Sequence, residues 1–157
     1  MRVVELRAAT IDDSESIWRW NNEPSVRAVS LDPRPIERAD HDCWMAARLK
    51  DALSRLWIVV GNGEDRGVAR VQRDRAGDPG RVSIALAPAA RGAGVGQAAL
   101  ALVCRHDGGP LVADIIAANR ASRACFEACG FRLCERAVRG DREVLTYEWR
   151  SVDAIAI

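Results

Sequence analysis

The sequence has no marked excess of charge, no long hydrophobic run and no segment resembling a signal peptide. Its 23 basic and 22 acidic side chains nearly cancel to a net charge of +1. This removes the electrostatic argument for binding nucleic acid or an anionic membrane. No apolar stretch approaches the roughly 18 residues that span a bilayer, and the first ten residues read as a charged strand. These absences predict a cytoplasmic protein with neither a nucleic-acid nor a membrane partner.

The number and spacing of the cysteines argue against both a disulfide framework and a metal site. The five cysteines are an odd number, which favours free thiols in a reducing compartment over a disulfide framework. Cys125 and Cys129 are spaced i, i+4, as two zinc ligands on one helix face can be, but no CxxC pair accompanies them. We therefore favour small core residues and expect no metal site.

The remaining pattern describes one domain of mixed α and β structure. With 157 residues and 48% apolar side chains, the chain is long enough for a single core, assigned to residues 1–150 with a tail at 151–157. Strand-like and helix-like segments alternate in the order β-α-α-β-β-β-α-β-α-β-β. Pro24 lies just beyond the first predicted helix, and the second predicted helix has Pro35 at its first turn. The turn signals "GNGEDRG" and "RAGDPG" indicate an antiparallel meander in the middle of the chain.

The segment "LAPAARGAGVGQAAL" (86–100) carries glycines at alternate positions between an apolar strand and an apolar helix. A flexible linker would be polar, so that interpretation is weak. A dinucleotide fingerprint fits the strand–glycine–helix order, with Asp114 about 20 residues on. However, its glycines are spaced by two and then three residues, whereas Gly92, Gly94 and Gly96 are spaced by two and two. A meander followed by a terminal hairpin also cannot form a doubly wound sheet.

The third interpretation is a phosphate cradle that includes an arginine, in the pattern Arg-x-x-Gly-x-Gly. Amides of a glycine-rich turn at a helix N-terminus point outward, and the helix dipole strengthens their positive field. Glycine removes the β-carbon that would block a phosphate oxygen, and Arg91 adds a positive charge. The predicted loop residues are Arg91, Gly92, Ala93, Gly94, Val95 and Gly96.

A second motif lies at the matching distance. In "NRASRACFEACGF", Asn119, Ser122, Phe126, Gly130 and Phe131 stand at offsets 0, 3, 7, 11 and 12. Together with the glycine segment and the element order, it resembles the GNAT superfamily of acyl-CoA-dependent N-acyltransferases over nearly the whole chain.

The resemblance implies a fold, a donor and a donor site. The fold would be α/β (α+β), with a mixed, mostly antiparallel sheet of about seven strands and about four helices. The donor would be acetyl-CoA (coenzyme A), its pyrophosphate on the glycine loop and its pantetheine arm paired with the strand that ends at Leu86 and Ala87. The following strand would splay away to leave a V-shaped slot, and Asn119, Ser122 and Phe126 would flank the arm.

One residue departs from the family pattern. The family often has a tyrosine at the position of Phe126, and that tyrosine protonates the leaving thiolate. Phenylalanine has no proton to donate, so another group or a water serves, or the thiolate leaves unaided. A thiol of pKa about 8.5 is a fair leaving group near neutral pH.

Proton removal from the attacking amine needs a base, and the oxyanion needs backbone N–H donors near Leu86 and Ala87. The candidates for proton handling are His41, Ser83, Asp114 and Glu23. Each has an ordinary structural alternative: helix packing for His41, a salt bridge for Asp114, a plain strand serine for Ser83 and a solvated carboxylate for Glu23.

The N-terminal third further resembles one branch of the family, the acetyltransferases of pseudaminic-acid-type sugar biosynthesis, which acetylate an amino group on a nucleotide-linked deoxysugar. The matching residues are Trp20, Asn22, Pro24, Arg27, His41, Trp44, Arg70 and Ser83. The resemblance implies that Asn22, Arg27, His41, Trp44 and Arg70 bind the acceptor. Arg27 would pair with the diphosphate and Trp44 or Trp57 would stack on a base or sugar. Core packing is the alternative for the tryptophans, and we favour it for Trp18 and Trp57.

Two other functions remain open. Ribosomal-protein and other N-terminal or lysine acetyltransferases share related features in this region, and a basic peptide would require an open acidic groove. A non-catalytic acyl-CoA-binding module is compatible with Phe126. The terminal hairpin and apolar tail are also compatible with a homodimer.

Overall fold

The protein is described here by a computed structural model covering residues 3–151. Its strands are β1 (Val4–Ala8), β2 (Ser54–Gly61), β3 (Glu64–Gln72), β4 (Gly80–Leu86), β5 (Leu111–Ile116), β6 (Arg132–Arg139) and β7 (Arg142–Trp149). Its helices are α1 (Ser14–Asn21), α2 (Pro24–Ala28), α3 (Arg38–Lys50), α4 (Val95–Asp107) and α5 (Arg120–Ala128). Single 3₁₀ turns lie at Ile11–Asp13 and Pro88–Ala90. Apart from Ser151, the predicted tail 151–157 lies outside the described residues.

The seven strands form one sheet in the order β1-β2-β3-β4-β5-β7-β6. Every neighbouring pair is antiparallel except β4 and β5, which are parallel. The meander depends on tight turns, and Asn62 and Gly63 join β2 to β3 with φ values of 52° and 81°, the left-handed pair that a two-residue hairpin requires. The predicted mixed, mostly antiparallel fold is therefore confirmed.

The helices cover the two faces of the sheet. On one face α4 and α5 pack over a core that includes Val71, Val103 and Leu145. On the other, α1 and α3 pack over a smaller core built around Ile17, Met45 and Ile58. Because side chains alternate along a strand, β2, β3 and β4 each contribute to both cores.

Two helix boundaries differ from the sequence-based expectation. A helix was expected from Pro35, but α3 begins at Arg38, because Ile36 is held outside it by Asn22. Pro24, expected just beyond the first helix, instead opens the five-residue helix α2, where its missing N–H is tolerated. None of the helices in residues 3–151 combines the length and the apolar character needed to cross a membrane.

The sheet opens in its middle. β4 and β5 are in register only at Gly80 with Leu111 and Arg81 with Val112, and beyond these pairs the strands separate. β5 remains paired with β7 along its whole length, while β4 remains paired with β3. The result is a V-shaped slot whose closed end lies at Arg81 and whose open end lies at Leu86.

Candidate active site

The glycine segment forms a loop that presents free amides at the start of α4. Gly92 and Gly94 have φ values of 74° and 79°, and a β-carbon on either would meet no atom within 4 Å. Their conformation is left-handed and the space in front of them is open. Among residues 3–151, the backbone N–H groups of Gly92, Ala93, Gly94, Val95, Gly96 and Gln97 have no acceptor. These donors and the helix dipole point to an anion.

Arg91 braces this loop. Its Nη1 donates to the Ser25 hydroxyl at 2.6 Å and its Nη2 to the Leu86 carbonyl at 3.2 Å. The side chain thus links the end of β4 to α2, and it is exposed, so its remaining N–H groups face solvent beside the free amides. Arg91 therefore adds a fixed positive charge to the cradle.

The backbone of β4 is unpaired on its side facing the slot. Ala87 donates its N–H to the Arg66 carbonyl at 2.8 Å, which makes Arg66 and Ala87 a hydrogen-bonded pair. Because such pairs alternate along an antiparallel ladder, Ile84 and Leu86 direct their backbone groups away from β3 and into the slot. The amide of Ala87, one of the two expected oxyanion donors, is occupied by β3. The amides of Ile84 and Leu86 are the ones that face the slot.

Helix α5 packs beside the first turn of α4. Asn119 caps it, since its Oδ1 accepts the Ser122 N–H at 3.2 Å. Phe126 is 5% exposed and stands edge-on to Phe131, with ring centroids 4.9 Å apart. A β-carbon on Gly96 would lie 3.7 Å from the sulfur of Cys125, so α4 and α5 approach closely at this glycine.

An ion pair closes the vertex of the slot. Arg81 on β4 pairs with Asp114 on β5, and the Thr146 hydroxyl donates to the second Asp114 oxygen at 2.7 Å. The side chain of Asp114 is only 7% exposed. Both carboxylate oxygens therefore have partners in the sheet, as in the salt-bridge alternative for this residue.

Three predicted acceptor-side residues do come together. Arg70 and Ser83 are opposite partners in the β3–β4 register, and the Arg70 guanidinium lies 5.3 Å from the centroid of the Trp44 ring. Trp20 and Ala85 pack against the same smaller core as Trp44. This acceptor face, defined by Trp44, Arg70 and Ser83, lies on the side of the sheet opposite α4 and α5.

His41 lies behind this face. It is 2% exposed, and its Nε2 lies 2.9 Å from the Ser14 carbonyl oxygen and 3.0 Å from the Ser14 hydroxyl. Because a carbonyl only accepts, Nε2 carries the hydrogen. Burial lowers the pKa of His41, and the hydrogen bond to Ser14 offsets this only in part. The ring is therefore a neutral packing group, 5.8 Å from that of Trp44.

The segment "WNNEPSVR" (20–27) holds its own loop together. Arg27 donates to the carbonyls of Asn21, Asp32 and Arg34 and to the Ser30 hydroxyl. The Asn22 amide bonds to both backbone groups of Ile36, and the Trp18 indole donates to the Ile36 carbonyl. The side chains of Asn22 and Arg27 thus contact protein, and Glu23 precedes α2 as its N-cap.

Arg81 and Ser25 contribute to the site but were not predicted from the sequence. Arg81 shares a face of β4 with Ser83, and strand alternation was the available signal. Ser25, the anchor of Arg91, gave no signal, because the contact joins residues 66 positions apart.

A groove of about 1210 Å³ begins at Gly94 and runs along α4 to Trp149. Residues 3–151 contain no group of three or more metal-ligating side chains.

Comparison with known proteins agrees with this geometry. Residues 4–132 match the family model described as an acetyltransferase (GNAT) domain. The fold is similar to a spermidine N-acetyltransferase from Vibrio cholerae in complex with CoA and spermine (TM-score 0.82, 16% identity, 93% of this chain and 94% of that one). It is also similar to a ribosomal-protein-alanine N-acetyltransferase from Brucella melitensis (0.78, 21%, 94% and 99%). An aminoglycoside acetyltransferase in complex with coenzyme A is similar too (0.77, 16%, 94% and 95%).

No curated protein matches the chain significantly. The family model nevertheless spans most of the chain, so the protein belongs to the GNAT acetyltransferase family. It is an acyltransferase that uses acetyl-CoA as its co-substrate, and the free amides of residues 92–97 fit the pyrophosphate of that donor.

Proposed function

We propose that this acetyltransferase acylates a primary amine on a small molecule, and that this acceptor is a nucleotide-linked amino sugar. The observation that carries the proposal is the pairing of an aromatic ring with cationic and hydroxyl groups on the acceptor face. Trp44 offers a flat surface of the kind on which sugar rings stack, while Arg70 and Ser83 offer donors opposite each other across β3 and β4.

The donor would lie with its pyrophosphate on residues 91–97 and its pantetheine arm along Ile84 and Leu86. When bound, acetyl-CoA supplies an activated acyl carbon. The neutral amine would attack the thioester carbonyl carbon, so that a carbon–nitrogen bond forms and the carbonyl oxygen becomes the oxyanion of a tetrahedral intermediate. Collapse of this intermediate would break the carbon–sulfur bond and release coenzyme A as a thiolate, while the amine proton passes to water and the thiolate takes a proton from water. The slot-facing amides of Ile84 and Leu86 are the available donors for the oxyanion.

Few side chains are placed to take the proton that the acceptor amine loses. Asp114 is held by Arg81 and Thr146, and His41 is buried against Ser14. Ser83 is exposed on the acceptor face, so its hydroxyl is free to accept a hydrogen bond from the amine while water takes the proton. The pH dependence of kcat/KM should therefore follow the pKa of the acceptor amine itself.

The test is release of free thiol from acetyl-CoA with three acceptors: a uridine-diphosphate-linked amino sugar, a basic peptide with a free N-terminus, and spermidine. We expect turnover with the nucleotide sugar and a product carrying one acetyl group on nitrogen. Turnover restricted to the peptide would make the protein an N-terminal acetyltransferase and would refute the acceptor assignment.

We also propose a cytoplasmic location, which is supported by five free thiols, two of them exposed. A homodimer stays a prediction. Strand β6 is an edge of the sheet and carries Val138, which is 75% exposed. Sedimentation of the purified protein tests it.

A further inference from the structure

Arg70 carries a positive charge that no other residue of the described chain neutralises. It lies near the middle of β3 and is half-buried, yet its guanidinium makes no hydrogen bond or ion pair with any residue between Val3 and Ser151. The guanidinium carbon lies 5.3 Å from the centroid of the Trp44 ring. Five N–H donors on a rigid fork are thus left for solvent or a ligand.

Neighbouring arginines differ from it in this respect. Arg81 is paired with Asp114, and Arg48 lies 3.5 Å from Asp51. Arg27 is the arginine expected to bind a diphosphate, but its N–H groups donate hydrogen bonds to residues of the loop 21–34. Arg70 is therefore the arginine of the acceptor face that is available to an incoming molecule.

The surroundings of Arg70 disfavour an additional cation. Burial lowers its pKa, and the nearby positive charge of Arg48 lowers it further, so its charge lies in a desolvated and already positive region. Asp114, the carboxylate at the vertex of the slot, is occupied by Arg81 and Thr146. An anion would relieve this imbalance through the paired contacts that guanidinium groups make with oxyanions.

The position of Arg70 would place a bound anion close to the slot in which the acyl group is transferred. Its register partner Ser83 lies on β4 one position before Ile84, whose backbone faces the slot. An acceptor group bound at Arg70 is therefore held on the strand pair that borders the slot, within the length of one small molecule. The guanidinium lies over the ring of Trp44, at a distance typical of a cation–π contact.

We propose that Arg70 binds a phosphate group of the acceptor and selects amines that carry such an anion over polyamines. The proposal rests on the proposed function and names the chemistry that decides its substrate. A carboxylate also presents two oxygens to a guanidinium, so the experiment compares a phosphate-type anion with a dicarboxylate. Polycationic acceptors, such as spermidine or aminoglycosides, would place an ammonium group against an uncompensated guanidinium.

The direct test measures anion binding at Arg70 with the donor site filled. Protein saturated with coenzyme A is heated with and without inorganic pyrophosphate or malonate, using wild type, Arg70→Gln, Arg70→Lys and the exposed-charge control Arg75→Gln. We expect pyrophosphate to raise the melting temperature of wild type and Arg75→Gln, and the shift to fall at least about threefold in Arg70→Gln. Arg70→Lys should fall between them, because it keeps the charge without the fork.

Several outcomes would overturn the proposal: no pyrophosphate shift in wild type, an equal shift in Arg70→Gln, or a larger shift with malonate than with pyrophosphate. If Arg70→Gln does not fold, Arg70→Lys decides, since an undiminished shift there would show that the fork is not used.

A second measurement separates this proposal from the proposed function. The ratio of kcat/KM for glucosamine phosphate to that for glucosamine should exceed one in wild type and fall towards one in Arg70→Gln. Absence of thiol release with any amine would refute the proposed function, while loss of the pyrophosphate shift in Arg70→Gln would still support the anion site. Equal ratios in an active wild type and an active Arg70→Gln would refute the anion site alone.

Discussion

At the scale of single residues, the site divides into side chains that face ligand space and side chains that hold the protein together. Arg70, Ser83 and Arg91 each keep side-chain hydrogen-bond donors or acceptors that make no bond to a residue of the described chain. Asn22 and Arg27 came from the same sequence resemblance, but Asn22 is bonded to backbone groups, and Arg27 to backbone carbonyls and the Ser30 hydroxyl. Residue type alone does not distinguish the two groups, because an arginine is equally suited to a phosphate and to a carbonyl-lined loop.

His41 provides a test at this scale. His41→Ala should lower the free energy of unfolding by about 2 kcal/mol, because a buried ring and its bond to Ser14 are lost. The kcat should remain close to that of wild type. Chemical denaturation and thiol-release kinetics measure the two effects.

His106→Ala is the matched control, since His106 is exposed and should change neither quantity. A large fall in kcat for His41→Ala with an unchanged unfolding free energy would instead make His41 the general base.

At the scale of elements, the central device is the loop that begins α4. Gly94 and Gly108 cap the two ends of this helix with φ values of 79° and 69°, and a β-carbon on either meets nothing within 4 Å. The backbone cost of alanine should therefore be similar at both positions, about 1 kcal/mol.

Only one of these two glycines lies at the cradle. Gly94→Ala should weaken coenzyme A binding at least about tenfold, because its β-carbon occupies the space before the free amides, whereas Gly108→Ala should bind as wild type does. Isothermal titration of both variants tests this. Equal affinity in the two variants would remove the cradle from the donor site.

The elements that could be predicted from the sequence were those marked by local chemistry. The alternation of strands, the turn at Asn62 and Gly63 and the glycine loop depend on neighbours in the chain. The start of α3 at Arg38 and the short helix α2 were missed, because Asn22 secures Ile36 from 14 residues away. The occupied amide of Ala87 was missed for the same reason, since its partner Arg66 lies on another strand.

At the scale of the whole molecule, a buried ion pair joins the residue that follows β3 to the last residue of α4. Arg73 bonds bidentately to Asp107 at 2.6 and 2.7 Å, and the Asp107 side chain is 2% exposed. Burial alone would raise the pKa of Asp107, but the hydrogen bonds from Arg73 and the Gly109 amide outweigh it, so the pKa lies below its ordinary value.

A carboxyl with a lowered native pKa stabilises the fold fully above its unfolded pKa of about 4, and this contribution is lost as the pH falls through the native value. The unfolding free energy of wild type should therefore decline below about pH 4. In Asp107→Asn it should be lower by about 3 kcal/mol at neutral pH and less sensitive to acid. Denaturation curves across pH measure this.

The exposed pair of Arg38 and Asp42 supplies the control, since both of its side chains are about half exposed. Asp42→Asn should change the unfolding free energy by less than about 0.5 kcal/mol. A loss as large as that of Asp107→Asn would contradict the special role given to the buried pair.

Amide hydrogen exchange in free and coenzyme A-bound protein tests the central claim most directly, namely that the glycine loop and the open side of β4 form the donor site. Bound coenzyme A should slow exchange at the amides of residues 92–97 and at Ile84 and Leu86, where the structure supplies no acceptor from a neighbouring strand or turn. Unchanged exchange at these amides, with protection appearing along the groove between α4 and Trp149 instead, would contradict it.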